Sequence, residues 1–98
     1  MPAPGDHTRP VIRQSPDVVS SRLGEGGVLV HLRTNRIFEL NPTGLRAWEL
    51  MAPGCTRAHL LQQLGREFEV DGGRLEREID ALLDALAREE LVHAGDGR

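Results

Sequence analysis

The hydrophobic period of this chain changes at Asn41-Pro42, and that change limits the fold more than any other feature. Upstream, Val28, Val30 and Leu32 alternate with Leu29, His31 and Arg33, the period of a strand with one buried face. Thr34-Asn35 interrupts the run with two polar residues. Asparagine tolerates a left-handed backbone, so a tight reversal is expected there. Arg36 to Leu40 alternates again, with Phe38 and Leu40 on one side and Ile37 and Glu39 on the other. Downstream of Asn41-Pro42 the spacing is helical: Leu45, Trp48 and Met51 lie near one face, with Ala47 and Leu50 beside it. Asn41 suits an N-cap. Pro42 suits the first helical position, where its missing N–H would have been unpaired anyway. The block from Val28 to Met51 therefore predicts a hairpin running directly into a helix.

The flanking segments complete the outline. Val18 to Leu23 predicts one more strand, preceded by turn chemistry at Ser15-Pro16-Asp17 and followed by a flexible turn at Gly24-Glu25-Gly26-Gly27. Three short strands with tight turns predict an antiparallel meander. Ala52-Pro53-Gly54-Cys55 breaks the first helix. Thr56 then caps a second, with Leu60, Leu61, Leu64 and Phe68 at helical spacing. Glu69 to Gly73 is expected to be a loop. The third helix carries the stripe Leu75, Ile79, Leu82, Leu83 and Leu86 opposite Glu76, Arg77, Asp80 and Asp84, with Arg74 and Glu78 on its flank. Leu91-Val92-His93 predicts a short strand or a packed tail. Residues 1–16, with three prolines ahead of Val11, are expected to be a mobile tail, although Val11 and Ile12 could add to an edge. Residues 94–98 are expected to be loose. The prediction is one α+β domain over residues 17–93: a three-stranded antiparallel meander followed by three helices, a winged-helix-like order.

Composition narrows the chemistry. Phe38, Trp48 and Phe68 are the only aromatics, so the core must be mostly Leu and Val; Leu32, Leu40, Trp48 and Leu83 are assigned to it. The lone Cys55 excludes an internal disulfide and suits a reducing compartment. No apolar run approaches the roughly 20 residues that span a bilayer, and the N-terminal stretch lacks the apolar core of a signal peptide. A soluble, cytoplasmic protein is expected. His7, His31, His59 and His93 are dispersed and form no metal spacing with Cys55, so no metal and no cofactor are expected. Cys55 has no evident histidine partner. The acids of the third helix are spaced as a solvated face, and Gly24 to Gly27 lacks the Lys and Ser/Thr of a phosphate loop. No catalytic constellation emerges, and the chain is not read as an enzyme.

Binding remains. Three helices with a small sheet resemble a DNA-binding winged helix, but net charge is −3, and residues 72–90 hold six acids against three arginines, which repels phosphate. The other mode is strand addition. An edge strand offers a row of unpaired N–H and C=O groups, and Arg36 to Leu40 is the candidate edge. The third helix beside it would supply an apolar groove.

The run from Val28 to Val92 resembles the PqqD-like family, the small peptide-binding domains also called RiPP recognition elements. The resemblance rests on strand, tight turn and strand, then FELNPTGLRAWELM, similar to the family's aromatic-x-Leu-Asn-Pro-Thr-Gly segment and Trp-x-Leu helix. VDGGRLEREIDALLDALAREELV is similar to its closing helix. The resemblance implies a domain that binds the leader segment of a ribosomally made precursor peptide, as a strand added to the third strand of the meander and lying against the third helix. It implies no catalysis; the domain would deliver the precursor to a leader peptidase or other modifying enzyme. Arg36, Ile37, Phe38, Glu39 and Leu40 would supply the pairing edge. Leu75, Glu78, Ile79 and Leu82 would line the helical wall, and Arg74, Arg77 and Glu78 would meet charges on the leader. A lasso-peptide pathway, with its leader peptidase and cyclase, is favoured over a peptide-chaperone role for a radical enzyme in pyrroloquinoline quinone synthesis. The same edge could pair two copies as a homodimer when no peptide is present.

Overall fold

The computed structural model describes residues 11–95. In chain order its elements are β1 (Val11–Gln14), β2 (Val18–Leu23), β3 (Gly26–His31), β4 (Ile37–Leu40), α1 (Pro42–Leu50), α2 (Arg57–Glu67), α3 (Gly72–Arg88) and β5 (Val92–Gly95). Local chemistry starts each helix. The Asn41 side chain accepts a hydrogen bond from Gly44 N at 2.7 Å, with Pro42 opening α1. Thr56 Oγ1 accepts from His59 N at 3.1 Å, and Asp71 accepts from Arg74 N at 3.1 Å. Such a cap stabilises a helix by about 1 kcal/mol. The Asp71 cap starts α3 at Gly72, so Gly72 and Gly73 form the first helical turn and not the expected loop.

Strands β2, β3 and β4 form the antiparallel meander in the order β2-β3-β4. Asn35 takes a φ of 62° in the reversal before β4. The turn between β2 and β3 is shorter than the sequence suggests. Leu23 pairs with Gly26, so only Gly24 and Glu25 lie in it. Gly26 and Gly27 are strand residues held under close contact: a Cβ at Gly26 would strike the Leu40 carbonyl oxygen, and one at Gly27 would come within 2.8 Å of Leu45 Cδ1. Gly27 lets α1 seat against the sheet, and Gly26 leaves room for the backbone at the end of β4.

The buried face of β3 carries Gly27, Leu29 and His31. His31 is buried, and its Nδ1 accepts from Arg33 N at 3.2 Å. Leu32 departs from expectation: it lies beyond the end of β3 and is 58% exposed, so it is not a core residue. Leu40 and Trp48 are buried in the core, and Leu83 packs half-buried against it. The core joins Leu29, Leu45 and Met51 from the first half of the chain to Leu60, Leu64, Ile79 and Leu86 from the second.

The tail expected through residue 16 is a strand over part of its length. β1 pairs antiparallel with β5, from Val11 opposite Gly95 to Gln14 opposite Val92. Ile12 is buried and exchanges backbone hydrogen bonds with Cys55, at 2.7 and 3.1 Å. Ala94 and Gly95, expected to be loose, belong to the same ribbon. Chain-end pairing of this kind joins residues too distant in sequence to signal one another. Residues 1–10 and 96–98 lie outside the described residues. Among the described residues no helix is long and apolar enough to cross a membrane.

Candidate functional site

β4 is an edge strand, and its register decides which of its backbone groups are free. Val30 pairs with Ile37, Leu29 with Phe38 and Val28 with Glu39. His31 N donates to Arg36 O at 3.0 Å, which makes that pair a hydrogen-bonded one. Hydrogen-bonded and non-hydrogen-bonded pairs alternate along an antiparallel ladder. Phe38 and Leu40 therefore spend their N–H and C=O groups on β3, and those of Ile37 and Glu39 point to the open edge. Leu32 N donates to Asp17 O at 2.8 Å, which keeps the same alternation on the β2 side of β3.

Beside that edge lies a groove of about 460 Å³ between β4 and α3. Phe38 and Leu40 form the strand wall and Ile79, Ala81 and Leu82 the helical wall, with Glu39 and Glu78 also in the lining. Asn41, Thr43 and Gly44, at the start of α1, close one end. At the other end of β4, Arg36 pairs with Glu89 after α3, Nε to Oε1 at 2.9 Å and Nη2 to Oε2 at 3.2 Å. This two-pronged pair ties the start of β4 to the end of α3 and holds the two walls together.

Of the residues proposed from sequence, Phe38, Glu39, Leu40, Glu78, Ile79 and Leu82 line the groove. Ile37 lies on the strand with its side chain 68% exposed on the opposite sheet face. Leu75 is not part of the wall; it is buried in the core, where the α2 side of α3 packs. Arg74 sits 3.8 Å from Glu78 one turn along the helix. Arg77 is exposed and makes no ion pair among the described residues. Ile79 is only 1% exposed, so it serves core and groove together. Asn41, Thr43, Gly44 and Ala81 were missed. Asn41, Thr43 and Gly44 read from sequence as a helix start, and nothing local places a helix start at the end of a groove.

The acids of α3 outside the groove are engaged elsewhere. Arg57 of α2 bonds Asp80 at 2.6 Å and Glu76 at 3.1 Å. The guanidinium holds the Asp80 carboxyl below its ordinary value of 3.8. A second hollow of about 360 Å³ lies between the β2–β3 turn and α1. It is crossed by Arg22–Glu49 and Arg46–Glu67 ion pairs at 3.1 and 2.7 Å. Burial pushes the Cys55 thiol pKa up, away from the thiolate a nucleophile needs. Among the described residues no group of three or more His, Cys, Asp or Glu could hold a metal ion. The groove is thus an apolar slot with a strand edge, unpaired among the described residues, along one side, a shape suited to an extended peptide.

Comparison with known proteins agrees with this geometry. The family model for coenzyme PQQ synthesis protein D (PqqD) matches residues 26–92. The solved structure of TbiB1 in complex with the TbiA(beta) leader peptide superposes with a TM-score of 0.74 at 33% identity, covering 83% of this chain and 94% of that one. A lasso peptide synthetase B1 complexed with its leader peptide gives a TM-score of 0.71 at 27% identity, covering 84% and 96%. A search of curated proteins gives no match.

Proposed function

This chain belongs to the PqqD family, and from that membership we propose that it captures the leader segment of a ribosomally synthesised precursor peptide and presents it to a maturation enzyme. The observation that carries the reading is the open edge of β4 running beside the apolar groove of α3. The leader adds as a strand to Ile37 and Glu39, and its alternate side chains enter the groove between Phe38, Leu40, Ile79 and Leu82. Arg74 and Arg77, with Glu78, would meet charges on the leader. The protein acts by binding and not by catalysis, and works in the cytoplasm. Its similarity to two leader-bound proteins, one of them a lasso peptide synthetase B1, favours a lasso-peptide pathway, with a leader peptidase and cyclase as the enzymes served. The description of the family model supports a second reading, a peptide chaperone for a radical enzyme in quinone-cofactor synthesis.

The test is a fluorescence-anisotropy titration with labelled leader peptides synthesised from precursor reading frames adjacent to the gene. Saturable binding that survives moderate salt supports leader capture, and the precursor that binds separates the two pathways. Failure of every adjacent precursor, together with salt-sensitive binding to duplex DNA, overturns the reading in favour of a winged helix.

A further inference from the structure

Building on strand addition at β4, we propose that the exposed face of the sheet reads the peptide as well as the groove: an apolar leader side chain sits opposite Ile37 and a basic one opposite Glu39, two residues apart. Ile37 and Glu39 have their backbone groups at the open edge, where Glu39 also borders the groove, and strand alternation directs their exposed side chains to the sheet face opposite that of Phe38 and Leu40. In an added antiparallel strand, the residues directly opposite them point to that same outer face. The residue between them points into the groove.

Pairing aligns the existing side chains in rows across the sheet. Val19 pairs with Val30 and Val30 with Ile37, an apolar row over all three strands. Its exposure is 50% at Val19 and 68% at Ile37. The row ends at the open edge with a large uncovered side chain. A single exposed isoleucine is unremarkable, but one ending a cross-strand row at an open edge is completed by an apolar residue on the next strand. The adjacent row runs Ser21, Val28, Glu39. Glu39 has no ion-pair partner among the described residues, whereas Glu49, Glu67, Glu76, Asp80 and Glu89 each meet an arginine. Opposite charges facing across strands attract and like charges repel, so Glu39 selects Lys or Arg on the incoming strand. The leader segment thus alternates: groove-facing apolar residues on one phase, and the apolar and basic pair on the other.

The experiment is a charge swap, using the leader peptide of the titration above and a series in which each of its basic residues is changed in turn to Glu. Glu39→Lys is expected to weaken the unmodified peptide roughly five-fold, and one peptide of the series should recover that loss on the variant. That peptide's altered base should lie two residues from an apolar side chain. Ile37→Thr, which keeps β-branching, should weaken binding about three-fold. Glu69→Lys, the same charge change in the loop before α3, should leave binding unchanged. If Glu39→Lys and Glu69→Lys shift affinity equally, or no base reversal restores binding, the outer-face readout is wrong while leader capture stands. If the unmodified protein binds none of the peptides, leader capture itself fails.

Discussion

Two proline variants one residue apart should fail in opposite ways, because the register assigns their N–H groups to opposite sides of β4. Phe38 pairs with Leu29 in a hydrogen-bonded position, so Phe38→Pro removes a ladder donor and drives its ring toward β3. Leaving the Leu29 carbonyl unpaired costs about 1–3 kcal/mol, and the ring's displacement of the strand adds to it. Against a total stability of about 5–15 kcal/mol, that is a large fraction. With a urea m-value near 1–2 kcal/mol/M, the midpoint should fall by about 2 M. Phe38→Ala provides the baseline for loss of the half-buried ring, so the difference between the variants isolates the backbone term. Glu39→Pro removes an N–H that faces open solvent. Its preceding residue is already extended, as proline requires, and stability should change by less than about 1 kcal/mol. In the complex, however, that N–H would meet the leader, and the ring obstructs close approach. Binding should weaken about ten-fold or more relative to Glu39→Ala. Urea denaturation and anisotropy on the same four variants make the comparison. Phe38→Pro no less stable than Phe38→Ala, or a Glu39→Pro that binds like Glu39→Ala, refutes the register.

Four further outcomes follow from the geometry. Ile79→Glu should unfold the domain, since it places a charge at a site 1% exposed. Leu82→Glu at the half-buried wall should keep the urea midpoint while weakening peptide binding about ten-fold or more. The Asp80 carboxyl has a lowered pKa in the fold through its hydrogen bonds to Arg57. Its stabilising contribution is present above the ordinary value of 3.8 and is lost as pH falls through the lower folded value. Asp80→Asn should accordingly flatten the acid limb of a urea-midpoint profile taken below about pH 5, and an unchanged profile would discount the Arg57 contact. Without peptide, the open β4 edge should support weak self-association, read by sedimentation velocity. Added leader should return the protein to monomer, and a dimer indifferent to leader would place the contact elsewhere.

The sequence by itself determined the local elements. Asn41-Pro42 capped a helix because the asparagine oxygen and the imino ring act within a few residues. Alternation around Thr34-Asn35 marked a hairpin, and the spacing of Leu75, Ile79 and Leu86 marked a buried helix face. With these signals the PqqD-like resemblance and the α+β order were legible, and most of the groove's apolar residues were named. What the sequence could not hold was anything fixed by pairing between distant segments. β1 found β5 across the whole chain, which turned part of a proline-rich tail into a strand. Gly26 and Gly27 read as a turn, but both are strand residues, one under the end of β4 and the other under Leu45 of α1. The period of β4 separated Phe38 and Leu40 from Ile37 and Glu39, but it is the same for either assignment of backbone hydrogen bonds. Only the bond from His31 to Arg36 decided that Phe38 faces β3 and Glu39 faces the open edge. Helical spacing likewise grouped Leu75 with Ile79 and Leu82. Only tertiary packing buried Leu75 in the core and left Leu82 in the groove, because a helix wedged between a core and an open slot divides its apolar stripe by what its neighbours cover.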